Sequence, residues 1–170
     1  MGVSADAVSF AGLFGALFAA GLVASGATVA GGALFLVASC TDFVDGALAR
    51  ASRRESKYGA FLDSTLDRVA EGAMLAAIAL AYGMADAHVL SLVAMLALIG
   101  GQLISYMRAR AEGLGVTASA AVGFITRVER VALIAAGLLL GVLDYAVWVL
   151  MTLSWLGVGQ RFMAIRAALR

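Results

Sequence analysis

Four aspartates recur at regular spacings in a chain whose residues are 63% hydrophobic. On a helix, Asp42 and Asp45 lie on one face, and Gly59, Asp63 and Asp67 line one face of a following helix. If these faces meet, four carboxylates converge in apolar surroundings, where they stay ionised only beside cations. Clustered hard oxygen ligands favour Mg²⁺, Mn²⁺ or Ca²⁺ over a soft metal.

A structural role for these carboxylates is the alternative. Arg50 and Arg68 lie close enough in sequence to pair with aspartates and hold the two helices together. Ionisable groups inside a membrane are usually functional, which favours the cation site for the cluster as a whole.

Four arginines form a second group around the connection between two later apolar segments. Arg108 and Arg110 precede the connection, whereas Arg127 and Arg130 follow it at helical spacing. The planar guanidinium matches the geometry of phosphate oxygens, so these side chains predict a phosphate site. The alternative is that they only keep this connection on the cytoplasmic side of a membrane.

These groups must be positioned by membrane helices. The 170-residue chain has a mean hydropathy of +0.99, 14% charged residues, 20 glycines and no proline, unlike a soluble domain. We predict an all-α bundle of six transmembrane helices that forms one domain over residues 1–170. The predicted segments are Val8–Ser25, Ala27–Ala51, Tyr58–Gly83, Ala87–Glu112, Gly123–Val142 and Asp144–Ala168.

The basic residues predict the orientation of this bundle. All 12 lysines and arginines fall in the second and fourth connections, the adjoining helix ends and the C-terminal end of the chain. The positive-inside rule then places both termini and the aspartate motif on the cytoplasmic side of the cell membrane.

The aspartate motif resembles the signature of a known enzyme family. It is Asp-x2-Asp-Gly-x2-Ala-Arg-x8-Gly-x3-Asp-x3-Asp from Asp42 to Asp67, and it is similar to that of the CDP-alcohol phosphotransferases, integral membrane enzymes of phospholipid synthesis. The resemblance implies that an acceptor hydroxyl attacks the β-phosphorus of a CDP-linked lipid and that CMP leaves.

The resemblance also assigns roles to the residues of the motif. It implies a homodimer and two Mg²⁺ or Mn²⁺ ions held by Asp42, Asp45, Asp63 and Asp67, with Asp67 either a ligand or the base that takes the hydroxyl proton. The residues expected to bind CDP-diacylglycerol or CDP-archaeol are Asp42, Gly46, Ala49, Arg50, Gly59 and Asp63.

The arginine group resembles one subgroup of this family. Ser105-Tyr-Met-Arg-Ala-Arg-Ala-Glu112 and the Glu129-Arg130 pair are similar to motifs of members that transfer to inositol 1-phosphate. The residues expected to bind the acceptor phosphate are therefore Ser105, Arg108, Arg110, Arg127 and Arg130. Nothing in the sequence indicates a nucleic-acid partner.

Two other interpretations stay open at this stage. The acceptor could be glycerol 3-phosphate or serine, although so many basic residues favour a phosphorylated acceptor. A divalent-cation channel or transporter is the alternative of another class, and it predicts acidic residues along a continuous path. The far half of the bundle offers only Asp86 and Asp144, near its surface.

Overall fold

A computed structural model describes residues 5–51, 56–116, 123 and 125–170, without the side chains of residues 5, 6 and 41–51. Six α-helices and no strand occur in this part of the chain, in agreement with the predicted all-α fold. The helices are α1 (Ala5–Ala24), α2 (Thr28–Ala51), α3 (Lys57–Met84), α4 (His88–Gly113), α5 (Arg127–Leu140) and α6 (Leu143–Ala168).

Local capping explains where α3 and α5 begin and where α5 ends. Ser56 caps α3, because its side-chain oxygen accepts a hydrogen bond from the backbone N–H of Gly59. The predicted fifth segment began at Gly123, whereas α5 begins at Arg127, because Thr126 and Glu129 form a capping box. Gly141 ends α5 in the left-handed conformation that glycine adopts without steric cost.

The principal helix contacts form a closed circuit among the described residues. In order, α1 packs on α2, α2 on α5, α5 on α6, α6 on α4, α4 on α3, and α3 returns to α1. Small residues allow these close approaches. A Cβ on Gly32 of α2 would lie 2.7 Å from the Cβ of Leu138, and one on Gly100 would lie 2.9 Å from the Cβ of Ser154.

The interior and the surface of this bundle are both apolar. Phe35, Met74, Ile78 and Leu150 are almost completely buried, but many large apolar side chains, such as Phe14 at 66% exposure, lie on the outside. Two helical stretches in the described part, Ala7–Ala24 and His88–Gly113, are long and apolar enough to cross a membrane. An apolar exterior of this extent fits a helical bundle in a lipid environment.

A buried ion pair joins α3 to α5. Arg130 donates from Nε to Glu71 Oε1 at 2.5 Å and from Nη2 to Oε2 at 2.8 Å, and both side chains are nearly inaccessible. The pair packs against Gly101 of α4, where a Cβ would lie 3.2 Å from Glu71 Oε1. Three helices therefore meet at this pair.

We expect Glu71→Gln to destabilise the bundle strongly, because it leaves the Arg130 guanidinium buried without its counter-charge. Removing one partner of a buried pair costs about 3–5 kcal/mol. Glu112→Gln is the matched control, since Glu112 pairs with Arg108 at the surface, where ion pairs contribute about 0–1 kcal/mol. Thermal unfolding of both purified variants in detergent checks the difference, and equal losses of stability would contradict it.

Candidate functional site

A polar cavity of about 220 Å³ opens where four helices converge at one end of the bundle. It is bounded by the N-terminal half of α3, the C-terminal half of α4, the start of α5 and the C-terminal half of α6. The lining residues are Asp63, Ser64, Asp67, Arg68, Glu71, Ile104, Ser105, Arg108, Ile125, Thr126, Arg127, Arg130 and Arg161. Five arginines and three carboxylates therefore share one small volume.

Helix α3 supplies two of the four carboxylates that were predicted to bind metal. Asp63 and Asp67 lie one turn apart and both line the cavity, as their spacing predicted. Asp63 is exposed, whereas the side chain of Asp67 is only 17% exposed. The Ser56 cap sets the start of α3 and so fixes the turn on which each aspartate lies.

Arg127 is bound to one of these carboxylates. Its Nη2 lies 2.7 Å from Asp67 Oδ1, and both side chains are mostly buried. The capping box of α5 positions Arg127 as the first residue of that helix. A residue predicted to bind the acceptor phosphate and a residue predicted to bind metal or act as a base are thus brought together as an ion pair.

Two other predicted phosphate-binding arginines also line the cavity, each beside a glutamate. Arg130 directs Nε and Nη2 to Glu71, so much of its guanidinium is already engaged. Arg108 donates from Nε to Glu112 Oε1 at 3.0 Å in a largely exposed pair. Ser105, one turn of α4 from Arg108, lies in the lining as predicted.

Arg110, which was predicted to join the other arginines, is not among the residues that line the described part of this cavity. Residues two apart on a helix point about 200° apart, so Arg108 and Arg110 cannot face the same space. Arg110 lies instead on a groove between α4 and α6.

Arg161 is a cavity residue that the sequence reasoning missed. It lies on α6, is 6% exposed, and donates from Nη1 to the carbonyl of Ile104 at 3.1 Å. Gly123 gives it room, since a Cβ there would lie 2.8 Å from Arg161 Nη2. The signal was an arginine within a largely apolar helix, because buried charges of this kind turn towards the interior of a bundle.

The first half of the aspartate motif lies within residues 41–51, whose backbone is described but whose side chains are not. The backbone of α2 is helical to Ala51, as predicted. The predicted site residues in this range are Asp42, Asp45, Gly46, Ala49 and Arg50. Gly59 belongs to the capped first turn of α3 and is not among the lining residues in the described part of the cavity.

The donors that the structure describes fit a divalent cation by their chemistry. Asp63 and Asp67 bring carboxylate oxygens to one cavity, and hard cations take such oxygens as ligands. No group of three metal-ligating side chains occurs among the residues whose side chains are described. The other carboxylates of the motif, Asp42 and Asp45, belong to the residues whose side chains are not described.

Comparison with known proteins adds independent findings. The family model of the CDP-alcohol phosphatidyltransferases matches residues 3–159. The archaetidylinositol phosphate synthase of Methanothermobacter thermautotrophicus is 38% identical over 167 residues, which are 95% of this chain and 82% of the relative. The phosphatidylinositol phosphate synthase of Mycobacteroides abscessus is 36% identical over 179 residues, covering 98% of this chain and 79% of the relative.

The fold is also that of solved structures. The crystal structure of Mycobacterium tuberculosis phosphatidylinositol phosphate synthase with CDP-DAG bound superposes with a TM-score of 0.86 at 29% identity, over 96% of this chain and 87% of that one. The structure of the same enzyme with manganese and citrate has the same TM-score, at 27% identity, over 96% and 82% of the two chains. With the family model spanning most of the sequence, the chain belongs to the CDP-alcohol phosphatidyltransferase family of transferases.

Proposed function

We propose that this protein transfers the phosphatidyl or archaetidyl group of a CDP-linked lipid to the hydroxyl of inositol 1-phosphate and releases CMP. The observation that carries this proposal is the cavity in which α3 carboxylates face arginines from α4, α5 and α6. The names of the relatives, archaetidylinositol phosphate and phosphatidylinositol phosphate synthases, support the same acceptor.

The reaction is a substitution at the phosphorus that carries the lipid. The acceptor hydroxyl oxygen forms the new bond to this phosphorus, the bond to the CMP oxygen breaks, and the hydroxyl proton must leave. Asp42, Asp45, Asp63 and Asp67 would hold two Mg²⁺ or Mn²⁺ ions, which when bound offset the charge of the pyrophosphate. The manganese in a solved relative supports this class of metal.

Asp67 is the carboxylate that we propose as a ligand or as the base. Arg127 supplies a positive counter-charge beside this carboxylate. That contact is made through Oδ1. The Asp67–Arg127 pair thereby joins the carboxylate side of the cavity to its arginine side.

The acceptor phosphate would be bound on the arginine side. The described lining carries more guanidinium than carboxylate groups, which favours an anionic ligand on this side. Arg108, Arg127 and Arg161 are the phosphate-binding candidates, with Ser105 as a hydroxyl donor. Arg130 acts as a positioning residue, because its paired nitrogens are held by Glu71.

The CDP-lipid would lie beside the first half of the motif. The proposed residues are Asp42, Gly46, Ala49, Arg50, Gly59 and Asp63. Glycine and alanine leave space for the cytidine or the pyrophosphate to approach the backbone, and Arg50 offers a guanidinium to phosphate. The CDP-DAG bound to the M. tuberculosis enzyme supports this class of donor.

The proposed setting is the cell membrane, with all six helices spanning it as a single domain and a homodimer as the assembly. Both termini and the cavity would then face the cytoplasm, where water-soluble sugar phosphates are available. The distribution of basic residues along the sequence supports this orientation.

We expect purified protein to release CMP from CDP-diacylglycerol or CDP-archaeol when Mg²⁺ or Mn²⁺ and inositol 1-phosphate are supplied. Glycerol 3-phosphate and serine should not replace the acceptor. Asp63→Asn should reduce turnover on the order of hundredfold or more, because charge stabilisation by a metal contributes several kcal/mol. Asp86→Asn, at the far end of the bundle, is the control. Full activity of the Asp63 variant would remove that residue from the metal site.

Arg161→Gln should raise the KM for inositol 1-phosphate roughly ten- to hundredfold, the effect of losing a charge-assisted hydrogen bond. The KM for the CDP-lipid should change little, because the carboxylate side binds it through metal. Arg161→Lys should restore binding only in part, since a point charge lacks the planar fork. Lys57→Gln removes an exposed charge and is the control. A parallel rise of both KM values would show that Arg161 only supports the fold.

Reporter fusions test the orientation. A reporter after the C-terminal residue and one inserted near Ala87, in the connection between α3 and α4, should report opposite sides of the membrane. The reason is that basic residues adjoin only the first of these positions. Reporters on the same side would contradict the six-span topology.

A further inference from the structure

A second concave surface lies between the C-terminal ends of α4 and α6. It encloses about 400 Å³, and its lining is separate from that of the polar cavity. Large apolar side chains form its walls although they are highly exposed: Tyr106 at 63%, Leu114 at 49%, Phe162 at 58% and Leu169 at 52%. We name this surface the α4–α6 groove.

Three arginines accompany these apolar walls. Arg110, Arg166 and Arg170 line the groove and are exposed, and the described lining contains no acidic residue. None of these three arginines forms an ion pair with another residue whose side chain is described. The groove therefore combines an apolar surface with uncompensated positive charge.

The charges and the apolar surface follow one another along the helices. Phe162 and Arg166 are four residues apart on α6 and share one face, and Arg170 follows two residues after the end of this helix, so apolar and basic side chains of the groove lie within about two turns of one another. A ligand that contacts both the apolar side chains and the arginines has a long apolar chain and an anionic head. A free phosphate would contact only the arginines, and an uncharged lipid would contact only the apolar side chains.

We propose that the α4–α6 groove binds one anionic phospholipid of the surrounding membrane, with an acyl chain along Tyr106, Leu114 and Phe162 and the head-group phosphate at the arginines. Charge complementarity selects this occupant over a second copy of the chain, whose own α4–α6 face carries the same positive charge. Arginine side chains at helix ends reach the head-group level while their stems cover apolar surface.

This site is independent of the proposed reaction. Arg108 faces the polar cavity and Arg110 faces the groove, so the two surfaces use opposite sides of α4. A lipid bound here occupies a position of its own and contributes no reacting atom. Its binding is therefore measured without a CDP-lipid or an acceptor.

Native mass spectrometry of the full chain in detergent, titrated with phosphatidylglycerol or phosphatidylcholine, tests the proposal. One phosphatidylglycerol should bind in preference to phosphatidylcholine. Arg166→Gln combined with Arg170→Gln should weaken binding roughly 25-fold, since a basic residue near anionic lipid contributes about 1 kcal/mol, or fivefold. Arg166→Lys combined with Arg170→Lys should retain binding of phosphatidylglycerol. Lys57→Gln, the control, should bind it as the unmodified protein does.

Photocrosslinking of the unmodified protein gives a second measurement. Phosphatidylglycerol with a diazirine in its acyl chain should label the walls of the groove, near Leu114 and Phe162. Equal binding of the two lipids, unchanged binding by the glutamine variant, labelling only elsewhere, or full displacement of the lipid by inorganic phosphate would each overturn the proposal. None of these outcomes bears on CMP release, so the proposed reaction is judged separately.

Discussion

The rest of the structure depends on the cost of holding charge in an apolar bundle. A buried guanidinium or carboxylate is tolerated only when an opposite charge or several hydrogen bonds compensate it. The protein meets this constraint between helices: Glu71 of α3 with Arg130 of α5, and Asp67 of α3 with Arg127 of α5. These two contacts fix the distance and the rotation of α5 relative to α3. The charges that we propose for the chemistry and the charges that hold the bundle together are thus neighbours at one end of the bundle.

Much of this arrangement could be predicted from the sequence. Six apolar segments gave the six helices to within a few residues at most ends, because hydropathy and helical length are local properties. The α3 aspartates were correctly placed on one face, since their spacing of four residues fixes this once a helix is granted. The start of α5 was missed by four residues, because its capping box depends on side chains that hydropathy does not weigh.

What could not be predicted was which charges meet across helices. Arg110 resembled its neighbour Arg108 in type and context, and only the direction in which α4 faces the cavity separates them. Arg161 looked like part of a basic C-terminal end until the packing of α6 on α4 brought it inside. The partners of Arg127 and Arg130 lie about 60 residues away in the chain, a distance over which a single sequence carries no pairing signal.

Gly101 has a consequence for how this sequence can change. The Glu71–Arg130 pair lies against Gly101 of α4, which has no side chain, so the three residues constrain one another. While both charges are present, position 101 must stay glycine, or the carboxylate must shift away from a new Cβ. If the pair is replaced by apolar residues, that restriction ends and a larger side chain can fill the space. Among relatives, positions 71, 101 and 130 should therefore covary as a triplet, although no two of them are near in sequence.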